Sequence, residues 1–441
     1  MESDYPSGAV AQLMAPFHSD DGAGTLDAVR SRLANLLVKT RLRITLIFRE
    51  IEIAAAARDP MRAQRALLAR ILRDNRDTQF GRRHGFAAIA GHSGFVRSVP
   101  VSEFEQLRPY IDAQIERGEN ALTQQAPRQY VRTSGSTGIP KDIPLVASHL
   151  DALRRIHETA VAFQYRNCPG AFDGSILTIV GTAREGALPG GKSFGAASGI
   201  VAGNTPRAVQ AKFAIPAAVF TIADSRVKYL LILRLALARG DITYIGTANA
   251  TTLLAMMRLY HEHKFSLIDD VRRGTFFLDD AIPSAVREAV SQRLRPNRRR
   301  ADELAALHVR CGTPRIADLW PQVRIVVTWT CASAGTPVSA LRRELSPRTQ
   351  VFELGYIASE FRATITLGRH AGAGLPTFDT HYFEFVECER WDRGERDTLT
   401  LERIRKGVNY YIIVTTPSGM YRYFINDVVR VTGFLRRTPL L

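Results

Sequence analysis

The sequence predicts an α/β protein in which mainly parallel sheets are flanked by helices and joined to a smaller β-rich unit. Three observations predict it. Apolar strand-like runs alternate with helical stretches between residues 175 and 354, the chain turns β-rich from about residue 375 to 434, and a Ser/Thr/Gly-rich stretch ending in Pro140-Lys141 precedes both.

Residues 1–24 are polar and Gly-rich and read as a mobile tail. From Leu26 to Asp74 the apolar spacing is helical, with Leu36, Leu37, Ile44, Ile47 and Ile51 among the apolar positions. That stretch is expected to pack on the main body, a membrane-surface helix being the alternative. Ser148 is placed to cap a helix through Leu150, Leu153, Ile156 and Phe163. Then follow a strand at Ser175 to Val180, a helix at Arg226 to Arg239, a strand at Ile242 to Ile245 and a helix at Thr251 to His263. A strand at Val323 to Trp329, a helix at Val338 to Leu345 and a strand at Gln350 to Leu354 complete the alternation. His381 to Glu387, Tyr410 to Thr415, Tyr421 to Phe424 and Val428 to Thr432 read as antiparallel strands, with a tight turn at Pro417-Ser418-Gly419.

Composition narrows the function classes. At 441 residues, 45% of them hydrophobic, the chain is an enzyme-sized globular protein rather than a disordered or fibrous one. The formal charge of +16 comes from basic residues spread along the whole length. It therefore favours an anionic nucleotide substrate over nucleic acid. Cys168, Cys311, Cys331 and Cys388 have no paired spacing for zinc or a disulfide framework, and the N-terminus lacks a secretory pattern. No apolar stretch is long enough to span a membrane, and a cytoplasmic protein is expected.

The chemistry is concentrated in Thr133-Ser134-Gly135-Ser136-Thr137-Gly138-Ile139-Pro140-Lys141. Glycines let backbone N–H groups approach phosphate oxygens, hydroxyls donate to them, and the lysine adds positive charge. A second Gly-rich stretch, Gly186 to Ser193, satisfies the Walker A pattern. The residues after it, Phe194 to Gly199, are too Gly-rich to open the required helix, so a flexible loop near the substrate pocket is expected instead. His261 and His263 lack the four-residue helical spacing of a metal pair and read as an exposed helix end.

The stretch from 133 to 141 resembles the phosphate loop of the adenylate-forming superfamily. Tyr356-Ile357-Ala358-Ser359-Glu360 is similar to that superfamily's aromatic-to-glutamate motif, with Ile357 where glycine is usual. Tyr421 to Asp427 resembles its late motif, with Asn426 where glycine is common. The resemblance implies a large adenylate-forming domain using ATP and Mg2+. Thr137, Lys141 and Glu360 would be catalytic, Glu360 also holding the metal. Ser134, Gly135, Ser136, Thr137, Gly138, Thr330, Ala332, Tyr356, Ser359 and Asp427 would bind the nucleotide.

The finer resemblance is to the auxin-inducible acyl acid amido synthetases. It rests on Thr78-Gln79-Phe80-Gly81-Arg82-Arg83-His84-Gly85-Phe86, on Leu107 to Ile111, on His381 to Phe385 and on Val414 to Tyr423. It implies a ligase that adenylates a carboxylic acid and conjugates it to an amino acid amine. An acyl-CoA or carrier-protein ligase, or a nucleotide-binding module without catalysis, remains open from sequence. On this reading residues 25–434 form the large domain and 435–441 begin a hinge. The superfamily's small C-terminal domain, which supplies a lysine to adenylation, has no counterpart in the eight residues after Gly433, so slow turnover is expected.

Overall fold

The four apolar runs between 175 and 354 assemble into one sheet. In the computed structural model, which describes residues 23–133, 139–203, 207–331, 334–368 and 374–441, strands Ser175–Ile179, Ile242–Thr247, Ile325–Thr328 and Gln350–Glu353 lie side by side in that order, all parallel. Their apolar side chains go to both faces, as a sheet covered on both sides requires. Phe172, Tyr244, Ile325, Val327 and Phe352 pack toward the helix Ala147–Asn167 and toward Val38 and Leu42 of the helix Ala23–Ala56. Leu177, Ile245 and Val326 pack toward a second helical layer. That layer contains Ser225–Leu237, a helix whose residues 230–237 are all buried, Arg234 among them. Asp224 caps it, accepting from the N–H groups of Arg226 and Val227 at 2.7 and 3.0 Å.

Three expected boundaries move. The helical region from Leu26 to Asp74 is two helices, Ala23–Ala56 and Pro60–Asp74, because Asp59 caps the second and Pro60 opens it. The helix of Thr251 to His263 runs on to Arg273 across a kink at His263. Ser148 is not a cap: Val146 occupies that position, and the Ser148 N–H donates to Gln125 at 3.3 Å. The expected mobile tail lies almost wholly outside the described residues.

The β-rich end is a three-stranded antiparallel sheet of Tyr382–Glu387, Asn409–Thr415 and Tyr423–Arg430. The two short strands expected at its edge are one strand with an irregularity in its pairing. This sheet shares a core with the early helices, where Phe80, Phe86, Phe95, Leu107, Tyr382, Phe383 and Tyr421 meet.

Two buried polar clusters fasten it. Arg422, 3% exposed, donates to both oxygens of Glu384, 1% exposed, at 3.0 and 2.9 Å, and to the carbonyl of Val99 at 2.7 Å. His149 and His381, both fully buried, meet Nε2 to Nε2 at 3.0 Å, with Ser418 on the far side of one and Thr377 on the far side of the other.

Removing either charge of the Arg422–Glu384 pair strands the other in the core. Glu384→Ala is expected to cost about 3–5 kcal/mol, read as a lower urea midpoint than wild type. The histidines give a pH signature. Burial lowers the His149 pKa from 6.5 to about 3 and that of His381 well below 6.5. The folded state thus binds fewer protons, so their contribution is fully present above pH 6.5 and is lost progressively as pH falls toward about 3. The slope is about 1.4 kcal/mol per pH unit for each histidine. Urea midpoints measured downward from pH 6.5 should fall less steeply in a His381→Phe variant.

Candidate functional site

In parallel α/β sheets the loops leaving the carboxyl ends of the strands form the natural crevice. Here two such loops are tied by one side chain. Glu353 ends its strand and accepts from the Thr330 N–H at 2.7 Å and hydroxyl at 2.5 Å through one oxygen, and from the Gly355 N–H at 2.9 Å through the other. Trp329 adds an indole bond to the Gly355 carbonyl at 2.9 Å. Thr330 is therefore held beside the start of the Tyr356 motif.

That motif makes a tight turn. Ile357 bridges Arg362 across it, and the Ala358 N–H donates to the Phe361 carbonyl at 2.9 Å. Ser359 and Glu360 stand at its tip, Ser359 half-buried and Glu360 7% exposed. Burial pushes the Glu360 carboxyl up, while the Tyr423 hydroxyl and the charge of Lys141 pull it down and Asp427 pushes it up. Tyr423 donates to Glu360 Oε1 at 3.0 Å.

Asp427 reaches the same place from the antiparallel sheet. Phe424 pairs with Ile413 and Val428 with Tyr411, so residues 425–427 bulge out of the ladder opposite Ile412. Asn426 takes φ 66° there, leaving Asp427 exposed. The Tyr356 hydroxyl donates to Asp427 Oδ2 at 2.5 Å. Two motifs 71 residues apart thus meet through their defining side chains.

Thr133 and Lys141 are directly opposed in the antiparallel pair Gln129–Thr133 and Lys141–Leu145, so the Ser/Thr/Gly stretch is the connection of a hairpin. Arg108 holds its exit through the Pro140 carbonyl at 3.3 Å, and Arg132 pairs with both oxygens of Asp142 at 2.8 and 2.9 Å. Ser134, Gly135, Ser136, Thr137 and Gly138 lie outside the described residues, as does Ala332.

Sequence reasoning missed Glu353 and Arg362. Arg362, 7% exposed, donates to the Leu354 carbonyl at 2.9 Å behind Tyr356. A carboxylate ending an apolar strand was the available signal for Glu353; nothing local marked Arg362.

Residues 49–351 match the GH3 family N-terminal domain, and residues 374–441 match the GH3 family central domain. The chain belongs to the GH3 family. A jasmonoyl–L-amino acid synthetase of Nicotiana attenuata is 24% identical over 405 residues, 88% of this chain and 70% of that protein. The indole-3-acetic acid-amido synthetase GH3.8 of Oryza sativa subsp. indica is 25% identical over 408 residues, 85% of this chain and 64% of that protein. The GH3.15 acyl acid amido synthetase structure shares the fold, with a TM-score of 0.76 and 22% identity over 87% of this chain and 68% of that one. This chain thus spans about two thirds of the length of relatives it matches.

Within this GH3 chain the Walker-like stretch is a β-hairpin rather than a phosphate loop or a loose one. Gly186–Ala187 pairs antiparallel with Ser193–Gly195, Gly190 and Gly191 turn at φ 82° and 79°, and Ser193 continues into a strand; contrary to expectation, a short helix does open in the Gly-rich stretch after it, at Ala197–Gly203, but only beyond that strand. Its second strand lies parallel to Gln129–Thr133, next to the signature hairpin. No described helix is long and apolar enough to cross a membrane.

The bulge predicts how residue 426 can vary. Asn and Gly tolerate a left-handed φ, whereas a β-branched residue costs about 1–2 kcal/mol there. Asn426→Gly should keep the melting temperature of the wild type, and Asn426→Val should lower it, as read by thermal melting.

Proposed function

We propose that this GH3 chain binds ATP at the carboxyl edge of its parallel sheet, adenylates a small carboxylic acid and passes the acyl group to an amino acid amine. The Tyr356–Asp427 hydrogen bond carries the reading, because it joins an aromatic face for adenine to a carboxylate for the ribose hydroxyls. Family membership and the amido synthetase names of the relatives support it.

The roles follow from position. Tyr356 offers its ring to the base, Asp427 accepts from the ribose diol, and Thr330, held in place by Glu353, borders the nucleotide, with Ala332 beyond it in the sequence. The residues Ser134 to Gly138, with Thr137 among them, would cradle the phosphates, and Lys141 brings charge to their exit. Ser359 borders the same crevice. Glu360 suits Mg2+: one oxygen takes Tyr423, and among the described residues no cluster of three or more metal-ligating side chains forms a protein-only cage. A lone carboxylate with phosphate oxygens is the usual way of holding that ion. When bound, the metal would neutralise charge on the phosphates. The acid's carboxylate attacks the α-phosphorus and pyrophosphate leaves. The amine then attacks the acyl carbonyl and AMP leaves, with a proton released from nitrogen. The spacing of the four cysteines in the sequence suits no disulfide framework, which fits a reducing, cytoplasmic setting.

Exchange of labelled pyrophosphate into ATP tests the first step across a panel of carboxylic acids. The expected result is acid-dependent exchange, cut on the order of 10²-fold or more by Glu360→Ala or Asp427→Ala and unchanged by Lys192→Ala. Amide formation on adding amino acids, and no thioester on adding CoA, identifies the acceptor. Phosphate release that needs Lys192 but not Glu360 would overturn the proposal.

A further inference from the structure

The helix Ala23–Ala56 carries an apolar stripe that the fold leaves uncovered. Leu36, Leu37, Ile44, Ile47, Phe48 and Ile51 are each 50–63% exposed, while Val38 and Leu42 on the opposite side are buried against the body. Single exposed apolar residues are ordinary, but six large ones on one helix face mark an interaction surface. The helix is held in place by polar ties: Lys39 to Asp173, Arg41 to Glu158 at 2.9 Å, Arg43 to the Tyr165 hydroxyl at 2.8 Å and Glu50 to Arg166 at 2.6 Å. The stripe is therefore presented on a rigid support.

Its spacing selects the kind of occupant. Leu37, Ile44 and Ile51 recur every seven residues, and Thr40, Ile47 and Ala54 follow each by three, all exposed. This is the seam of a two-helix coiled coil. Charge selects the orientation. Arg43 and Glu50 lie one position before Ile44 and Ile51, on the same edge of the seam. If two copies cross antiparallel, Arg43 of each faces the partner's Glu50, and Ile44 packs on the partner's Ile47. On the other edge Arg41 faces the partner's Phe48. A parallel pair would set Arg43 against Phe48 and Glu50 against Ala55, so that neither meets an opposite charge on the partner helix. An anionic membrane is the poorer fit, since Glu50 and Glu52 stand at the rim.

We propose that the chain forms a two-fold dimer by antiparallel pairing of this helix with the same helix of a second copy. Such an interface is self-complementary, as closed two-fold contacts must be.

Sedimentation equilibrium of the full chain tests it, with thermal melting as the folding control. Wild type should sediment as a dimer, and Ile44→Arg as a monomer with an unchanged melting temperature. Arg43→Glu and Glu50→Arg should each raise the dimer Kd by at least about tenfold, and the double variant should recover to within about threefold of wild type. Should Glu50→Arg melt early through loss of its Arg166 contact, Ile47→Arg takes its place as the second disrupting variant. A monomeric wild type at every concentration overturns the proposal, including one that instead floats with phosphatidylserine vesicles. So does a double charge reversal no tighter than its single components.

Discussion

The enclosure of Arg422 is the constraint on which the rest of the site depends. Its guanidinium reaches Glu384 on the far edge strand of the same antiparallel sheet, the carbonyls of Val96 and Val99 in the early helical region, and Thr398. Its backbone sits at φ 45° and its carbonyl accepts from Ser102 at 3.0 Å, while the next N–H but one, that of Phe424, donates back to Ser102 at 2.9 Å. A charge so buried is tolerable only with every partner in place. The same network that satisfies it therefore fixes where the strand Tyr423–Arg430 begins. That strand carries Tyr423 to Glu360 and Asp427 to Tyr356. The position of both carboxylates is inherited from a buried pair that makes neither of their contacts itself.

Two carboxylates in one crevice acquire different characters from their surroundings. Glu360 is buried, and desolvation favours its neutral form until a cation compensates. Asp427 is exposed on a bulge and remains a ready acceptor. The contrast agrees with the two tasks proposed for them, Glu360 toward a metal and Asp427 toward neutral hydroxyls. Tyr356 belongs to both arrangements, since burial and the Asp427 carboxylate push its hydroxyl pKa up and keep it a donor.

The alternation of strands and helices was legible because parallel strands buried on both faces must be continuously apolar, as Ile325-Val326-Val327 is. The helix break was legible too, in Asp59-Pro60, but the apolar periodicity running past it hid the signal. Ser148 misled for a tertiary reason. The Val146 N–H is already satisfied by Ser418, 272 residues away, so the helix start is set by that turn rather than by a local cap. Arg362 and the His149–His381 contact were out of reach for the same reason: each is defined by partners that only the folded chain brings near. For the signature stretch, residues 134–138 lie outside the described residues, and the structure adds only the pairing of the strands on either side of them.

The two departures from the superfamily motifs show what those motifs conserve physically. At residue 357 a glycine would be required only if the backbone turned left-handed there. In this chain that turn falls two residues earlier, at Gly355 with φ 93°, where a Cβ would lie 2.8 Å from the Thr364 carbonyl oxygen. Ile357 is then free to take a bridge position opposite Arg362, for which a β-branched side chain is well suited. At residue 426 the backbone is left-handed, φ 66°, and asparagine is the residue other than glycine that best accepts it. In both cases the spacing that delivers Tyr356, Glu360 and Asp427 to one crevice is kept. What the fold demands is the backbone path, and a different residue is admitted wherever that path allows it.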